Sequence, residues 1–188
     1  MTGMSNPFAN NGFALFATDI GACGMAWGPG GICGVQLPQV NERATRACMQ
    51  RRFPLLTEVS PPADVQRAMA DVAALLHGER VDLLDIPLDM NGVPPFHCRV
   101  YELARGIPVG ATLTYGEVAA QLGEPGAARA VGQALGANPF APVVPCHRVL
   151  AAGGKAGGFS AAGGVRTKLE LLLIEGTTFG GPGLFDPV

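Results

Sequence analysis

The chain has 188 residues, of which 48% are hydrophobic, and its formal net charge at pH 7 is −2. These values predict one domain, or two small ones, with a full hydrophobic core, and they exclude a disordered chain or a whole-molecule attraction to polyanions. The charge is uneven, because residues 1–90 carry six basic and nine acidic side chains, whereas residues 91–176 carry seven and five. A nucleic acid would therefore bind a local patch in the C-terminal half.

Neither the cysteines nor the N-terminus indicates an exported protein. The five cysteines are an odd number without framework spacing, which argues against a disulfide scaffold and favours a reducing compartment. Residues 1–11 contain no Lys or Arg and do not resemble a signal peptide, and no apolar run approaches the ~20 residues that span a bilayer. We therefore expect a cytoplasmic protein without membrane association, and its Cys and His spacing predicts no metal site. We expect no cofactor.

The first half of the chain begins with strand-like segments. Residues 13–20 and 32–37 are predicted to be strands, separated by a turn rich in Gly and Pro at 28–31. One more strand is predicted within residues 81–90.

Two helices are predicted between these strands. Residues 45–53 form the first, and residues 63–77 the second, in which apolar side chains repeat at helical spacing. Residues 91–95, Asn-Gly-Val-Pro-Pro, form the predicted linker to the second half. The first half is thus a small α/β module.

The second half is predicted to be mainly helical. A helix is expected over residues 96–105, and Thr114 with Glu117 has the spacing of a capping box that starts another. A turn at 123–126 leads to a second short helix over 127–135, so the pair is a helix-turn-helix candidate. An ordinary helical hairpin is the alternative.

The second helix of this pair has an unusual composition. Its residues are mostly Ala or Gly, and only Arg129 and Gln133 are long enough to reach a base edge. A helix that reads sequence in the major groove needs several such side chains. We therefore predict DNA binding with little sequence preference, through backbone contacts and close fit.

The sequence Pro-Cys-His-Arg-Val at 145–149 indicates an activated cysteine. A thiol with a pKa near 8.5 is only a few per cent thiolate at neutral pH unless a base or a positive charge lies close, and His147 and Arg148 offer both. A buried, inert thiol is the alternative for Cys146 taken alone.

Flanking motifs accompany this pentapeptide in a fixed order. They are AARAVG at 127–132, Asn138-Pro139, Gly-Phe-Ser at 158–160 and LLIEG at 172–176. With them the sequence closely resembles the O6-alkylguanine-DNA alkyltransferases, also called methylated-DNA–protein-cysteine methyltransferases. The resemblance is strong over about 93–176 and looser before it.

The resemblance implies a fold and a domain organisation. Residues 1–92 would form an α/β domain, an RNase H-like small sheet with helices. Residues 93–176 would form a mainly α, winged-helix-like domain that contains the helix-turn-helix, and residues 177–188 a C-terminal tail.

The resemblance also implies the catalytic residues. Cys146 would accept the alkyl group, and His147 would deprotonate it through a water molecule. Glu175 would orient the histidine, Asn138 would tie the helix-turn-helix to the active-site loop, and Tyr115 would donate a proton or hydrogen bond to the departing guanine. Since direct displacement needs a thiolate and a good leaving group, these residue types suit the chemistry.

DNA and the target base would be bound by a second set of residues. Arg129 would fill the gap left by the flipped nucleotide, and Phe159 stands where the family often has tyrosine, which removes a hydroxyl. The complete predicted set is Tyr115, Ala128, Arg129, Gly132, Gln133, Arg148, Val149, Lys155, Phe159 and Ser160.

The expected partner is duplex DNA that carries O6-alkylguanine, or O4-alkylthymine, bound by a monomer with cooperative binding left open. Two other functions remain as alternatives: a lesion-binding protein without transfer activity, and a thiol hydrolase that uses Cys146, His147 and Glu175 as a triad. The first is disfavoured because alkyltransferase-like relatives replace the cysteine that this chain keeps.

Overall fold

The computed structural model describes residues 11–177, and most of the predicted tail lies outside them. A three-stranded antiparallel sheet begins the fold, with strands β1 (Gly12–Thr18), β2 (Gly21–Gly28) and β3 (Gly31–Gln36) in that order. β2 was missed in the sequence because its residues, GACGMAWG, include no β-branched side chain. The predicted turn at 28–31 joins β2 to β3, so it closes a hairpin rather than linking β1 to β3.

Two helices cover the two faces of this sheet. Helix α1 (Glu42–Arg52) starts at Asn41, whose side chain accepts a hydrogen bond from the Ala44 amide, and helix α2 is Ala63–Leu76. Met49 of α1 packs with Phe13 and Ala26 on one face, while α2 joins the larger core on the other. Both helices were predicted, although α1 starts earlier than expected.

The strand predicted within residues 81–90 is absent. Only Leu88 makes an isolated bridge, to Ile32 of β3. Upstream of Leu88, the Arg105 guanidinium donates from Nη2 to three carbonyls, those of Leu83, Leu84 and Ile86. These carbonyls are therefore bonded to a side chain instead of to a neighbouring strand.

The second half is built on helices α3 (Pro95–Arg105), α4 (Tyr115–Gln121) and α5 (Ala128–Gly136). The capping box is present at the start of α4, with the Thr114 hydroxyl and the Glu117 side chain each bonded to the other residue's backbone. α4 and α5 pack together, as predicted for the helix-turn-helix pair.

A short parallel pairing completes this half. Strand β4 (Leu113–Thr114) lies beside strand β5 (Val149–Leu150), and helix α6 (Val165–Ile174) follows. The larger sheet core includes Val143 and Leu171, which come from the second half, so the two halves share apolar contacts. None of the helices in residues 11–177 is both long and apolar enough to cross a membrane.

Candidate active site

The pairing of β4 with β5 places Cys146 beside the start of α4. Cys146 opens a turn of 3-10 helix, Cys146–Arg148, that leads directly into β5. Leu113 pairs with Val149 and Thr114 with Leu150, so the residue after Thr114, Tyr115, is brought to the cysteine turn. Both Cys146 and Tyr115 line one cavity of about 580 Å³.

This cavity gathers most of the residues predicted to bind DNA or the target base. It lies between α5, the cysteine turn and the loop before α6. The predicted residues among its lining are Tyr115, Ala128, Arg129, Gly132, Gln133, Cys146, Phe159 and Ser160. Leu135, Gly136 and Gly158 also line it, and these were not among the predicted binding residues.

The Cys146 thiol is protonated in the resting protein. It is 5% exposed, and burial raises its pKa above the ordinary value of a cysteine. A hydrogen bond with Asn138 and the positive charge of Lys168 act in the opposite direction but do not outweigh burial. The sulfur therefore needs a base during the reaction, because only the thiolate is a strong nucleophile.

His147, the predicted base, follows Cys146 directly in the chain. Its ring is fully buried, and Nε2 lies 2.8 Å from Oε1 of Glu175. Burial lowers the pKa of His147 despite the hydrogen bond to Glu175, so the ring is neutral at pH 7. Since the ionised carboxylate can only accept, the proton resides on Nε2, and Nδ1 is left as a basic nitrogen with no partner among residues 11–177.

Glu175 is kept ionised by hydrogen bonds from two neighbouring side chains. Burial alone would raise its pKa, but hydrogen bonds from His147 and Arg148 bring it down to about 2. Arg148 binds it with two donors, Nε to Oε2 at 2.9 Å and Nη2 to Oε1 at 2.8 Å. Such a bidentate pair fixes the carboxylate that orients the imidazole.

Arg148, which was predicted to contact DNA, has its side chain buried in the protein. Its side chain is 7% exposed, and Nη1 donates to the Ile107 carbonyl while the other donors bind Glu175. The guanidinium thus points into the protein and not toward the cavity of Cys146.

Lys168 is a residue of the site that the sequence did not reveal. It lies fully buried on α6, and Nζ donates to the Val149 carbonyl at 2.6 Å and to the Gly158 carbonyl at 3.4 Å. Nζ also lies 5.6 Å from the centre of the Tyr115 ring. Burial lowers its pKa to about 8, and the nearby Cys146 partly offsets this effect. The sequence around Lys168, a partly apolar helix, does not predict that its ammonium group is buried beside the cysteine turn.

Tyr115 is held close to the loop before α6. Burial, and then the neighbouring Cys146, raise the pKa of its phenol, which therefore keeps its proton at neutral pH. Gly157 has φ of +69°, and a Cβ added there would lie 3.1 Å from the Tyr115 hydroxyl oxygen. Only glycine combines this backbone with so close an approach.

Asn138 connects the end of α5 to the cysteine turn. Its Nδ2 donates to the Val144 carbonyl at 2.8 Å, and its Oδ1 accepts from the Phe140 amide at 2.9 Å. The amide of Cys146 donates to the same Val144 carbonyl, also at 2.8 Å. The Asn138 side chain therefore closes the loop that carries the nucleophile.

The remaining predicted residues divide between surface and interior. Arg129, Gln133 and Lys155 are exposed, and none of their side chains forms a hydrogen bond or ion pair to another residue of 11–177. Val149 is fully buried, and its carbonyl is bonded to Lys168. Within residues 11–177 no group of three or more His, Cys, Asp or Glu side chains is close enough to hold a metal ion.

Known proteins share this arrangement of sequence and fold. Residues 95–177 match the family described as 6-O-methylguanine DNA methyltransferase, DNA binding domain. The chain is 35% identical over 158 residues to a methylated-DNA–protein-cysteine methyltransferase of Methanothermobacter thermautotrophicus, an alignment that covers 84% of this chain and 81% of that protein. It is 43% identical over 131 residues to a DNA base-flipping protein of Thermus thermophilus, which covers 68% of this chain and 86% of that protein.

A solved structure agrees with the sequence comparisons. The fold is similar to the crystal structure of Mycobacterium tuberculosis OGT in complex with DNA, with a TM-score of 0.68 and 36% identity. The match covers 87% of this chain and 91% of that one. Both molecules combine a small sheet with helices in a mixed α/β fold.

Proposed function

The chain belongs to the methylated-DNA–protein-cysteine methyltransferase family, and from this membership we propose that Cys146 is the residue that accepts the alkyl group. The protein repairs DNA by direct transfer of an alkyl group from the damaged base to its own cysteine, once per molecule. The observation that carries the assignment is the position of Cys146, in the wall of a cavity with Tyr115 and next in the chain to the buried His147–Glu175 pair.

The thiol is activated by His147 in this proposal. Nδ1 takes the thiol proton through a bridging water, and the charge that forms on the imidazole is stabilised by Glu175 through Nε2. Arg148 holds Glu175 ionised and in place. This relay is needed because burial keeps the resting Cys146 protonated.

The transfer itself is a displacement at the alkyl carbon. The sulfur lone pair forms the new C–S bond as the C–O6 bond breaks, and that bond's electron pair goes to the guanine. Tyr115, whose phenol is protonated, donates a proton or hydrogen bond to the departing base. The product is a thioether without a leaving group that water can use, so the protein is consumed.

DNA is bound by the surface of α5. The small residues Ala128 and Gly132 permit close approach of a duplex, and the exposed Arg129 lies at the mouth of the cavity, where it fills the place of the flipped nucleotide. O6-alkylguanine, and O4-alkylthymine as a second substrate, enter this cavity, whose lining includes Ser160 but not Val149. The protein acts as a cytoplasmic monomer. Cooperative binding of neighbouring copies to DNA would depend on contacts outside this site.

The finer fold assignment belongs to the same proposal. Three antiparallel strands with α1 and α2 suit an RNase H-like domain over residues 1–92, which ends at the turn before α3. Helices α3 to α5 with the β4–β5 pair suit a winged-helix-like domain over 93–176.

An intact-mass experiment tests the proposed function. The protein is incubated with duplex DNA that carries O6-methylguanine, beside the Cys146→Ser variant and an undamaged duplex. A gain of one methyl group by the wild type alone supports transfer. Tight binding of the damaged duplex with unchanged mass would instead support a lesion-binding protein, the function suggested by the name of the Thermus thermophilus relative. Release of free product over many turnovers would support the thiol hydrolase.

A further inference from the structure

The active-site loop is attached to the sheet of the first half through one carbonyl group. The carbonyl oxygen of Pro139 accepts from the amide of Val35 on β3 at 2.8 Å and from Nη2 of Arg52 at 3.3 Å. Arg52 is the last residue of α1, and 87 positions separate it from Pro139 in sequence. The contact therefore exists only because the two halves of the chain pack together.

The guanidinium of Arg52 is itself held in place. Nη1 donates to the Val35 carbonyl at 2.9 Å and to Oε1 of Gln36 at 2.8 Å, and the Cys48 thiol donates to the same Oε1 at 3.1 Å. The guanidinium also lies 5.1 Å from the centre of the Phe53 ring. Two hydrogen bonds and the contact with Phe53 thus orient a planar group that has the fork geometry to bind two carbonyls at once.

The packing around this contact leaves no room for adjustment. Gly34 of β3 lies against it, and a Cβ added there would be 2.6 Å from Cζ of Phe53, 3.2 Å from Nη2 of Arg52 and 3.3 Å from the Pro139 oxygen. An alanine at this position would have to displace the Phe53 ring and would also press on Arg52 and the Pro139 carbonyl. The sheet and the loop are therefore in fixed register at Pro139.

Pro139 is connected to the nucleophile by a short closed network. Its neighbour Asn138 binds the Val144 carbonyl, which also accepts from the Cys146 amide, and the Phe140 carbonyl accepts from the Val144 amide at 3.2 Å. A displacement of Pro139 would therefore move the Val144 carbonyl, which binds both Asn138 and the Cys146 amide, and would change the position of Cys146.

We propose that Arg52 is a positioning residue for the alkyl transfer, which acts by fixing Pro139 and through it the loop in which the Val144 carbonyl binds both Asn138 and the Cys146 amide. The inference rests on the proposed role of Cys146 as acceptor. Arg52 touches neither the sulfur nor the cavity, so its effect passes through the loop. The first half of the chain, which contributes no residue to the cavity lining, thereby contributes to the reactivity of the cysteine.

The test compares Arg52→Met with Arg51→Met. Arg51 is the preceding residue of α1, is exposed, and makes no side-chain hydrogen bond or ion pair to residues 11–177, so it is the matched control. Two rates are measured well below the unfolding temperature of each variant: transfer from free O6-benzylguanine, and alkylation of Cys146 by iodoacetamide, followed by peptide mass spectrometry across a pH series. Because Asn138 lowers the pKa of the thiol, its displacement should move the iodoacetamide profile to higher pH.

Arg52→Met should slow transfer about tenfold at neutral pH, since small misplacements of reacting groups cost this much or more, and should shift the Cys146 profile upward. Adding Arg52→Met to Asn138→Ala should cause little further loss, because Arg52 acts through the loop that Asn138 closes. Arg51→Met should match the wild type. If Arg52→Met does not fold, Arg52→Lys is compared with the wild type instead. Lysine keeps the positive charge but lacks the planar group that binds two carbonyls at once.

The outcomes separate this inference from the proposed function. A wild type that transfers the label while Arg52→Met keeps both its rate and its pH profile would overturn the positioning role. Full additivity of Arg52→Met and Asn138→Ala would overturn it as well. A wild type that transfers nothing would refute the acceptor role of Cys146, while the iodoacetamide profile would still decide whether Arg52 positions the thiol.

Discussion

The ring of His147 and the carboxylate of Glu175 are joined by a hydrogen bond of 2.8 Å between two buried side chains. The carboxylate accepts the hydrogen bond from Nε2, so Nδ1 is the only ring nitrogen that can accept a proton. Arg148 completes the group by binding both oxygens of Glu175. One acidic side chain thus sets the tautomer of the base and balances a buried arginine.

Replacing Glu175 should damage both activity and stability. Glu175→Gln leaves Arg148 buried without a counter-ion, and breaking a buried pair in this way costs roughly 3 kcal/mol of unfolding free energy. Transfer should also slow, because the neutral amide cannot stabilise a charged imidazole. Urea unfolding and transfer rates check this, with Glu170→Gln, an exposed residue of the same helix, as the control. Equal stability of the two variants would contradict the role given to the pair.

Acid should destabilise the wild type through Glu175. Its folded pKa is about 2, against 4.5 for the ordinary carboxyl, so its contribution to stability is complete above pH 4.5 and is lost as the pH falls toward 2. Glu175→Gln has no carboxyl group at this position to protonate, so its stability does not change with pH through residue 175. The difference in unfolding free energy between wild type and Glu175→Gln should therefore shrink steadily over that range, and a constant difference would show that the carboxylate is not held ionised by its neighbours.

Lys168 should lower the pKa of the Cys146 thiol. Lys168→Met removes the nearby positive charge while it keeps the aliphatic stem, and each unit of increase in the thiol pKa reduces the thiolate fraction about tenfold. We expect slower transfer from O6-benzylguanine at neutral pH and a rate profile displaced to higher pH. Lys155→Met is the control, because Lys155 is exposed on the loop. An unshifted profile for Lys168→Met would remove the electrostatic role.

The approach of Gly157 to Tyr115 should matter for activity more than for stability. Gly157→Ala and Gly153→Ala both place alanine at positive φ, +69° and +74°, so each should cost about 1 kcal/mol of stability. Only the Cβ at 157 meets Tyr115, whereas nothing lies within 4 Å of one at 153. Thermal unfolding should thus be similar for the two variants, and only Gly157→Ala should transfer slowly. Equal transfer rates would mean that the position of Tyr115 does not limit the reaction.

Arg129 should matter for duplex DNA and not for a free base. Arg129→Ala should slow repair of an O6-methylguanine duplex more than reaction with O6-benzylguanine, because only the duplex requires extrusion of the nucleotide. Arg166→Ala, an exposed arginine of α6 outside the cavity, should leave both rates unchanged. Proportionate losses on the two substrates with Arg129→Ala would exclude a role in base flipping.

Local signals made part of the fold predictable. The capping box of Thr114 and Glu117 depends on residues three apart, and the start of α4 was found where it predicts. Strand β2 gave no such signal, because its Gly, Ala and Cys residues become a strand only when neighbours pair on both sides. The strand expected before residue 90 failed for a related reason, since Arg105 from α3 takes the carbonyls there.

Site residues that belong to a sequence motif could be predicted. Those whose position depends on tertiary contacts could not. Cys146 and His147 follow from the pentapeptide, but the direction of Arg148 depends on Glu175, which lies 27 positions later. Lys168 reaches the Val149 carbonyl only through the packing of α6 against the cysteine turn, and Arg52 reaches Pro139 only through the sheet. The spacing of residues along the sequence predicts none of these contacts.

The identity of the acceptor atom is tested most directly by peptide mapping. The protein is titrated with duplex DNA that carries isotopically labelled O6-methylguanine, digested, and each of its five cysteine peptides is quantified. We predict label on the Cys146 peptide alone, rising to a plateau of one methyl group per protein molecule. Label on another cysteine, or transfer that persists in Cys146→Ser, would contradict the account.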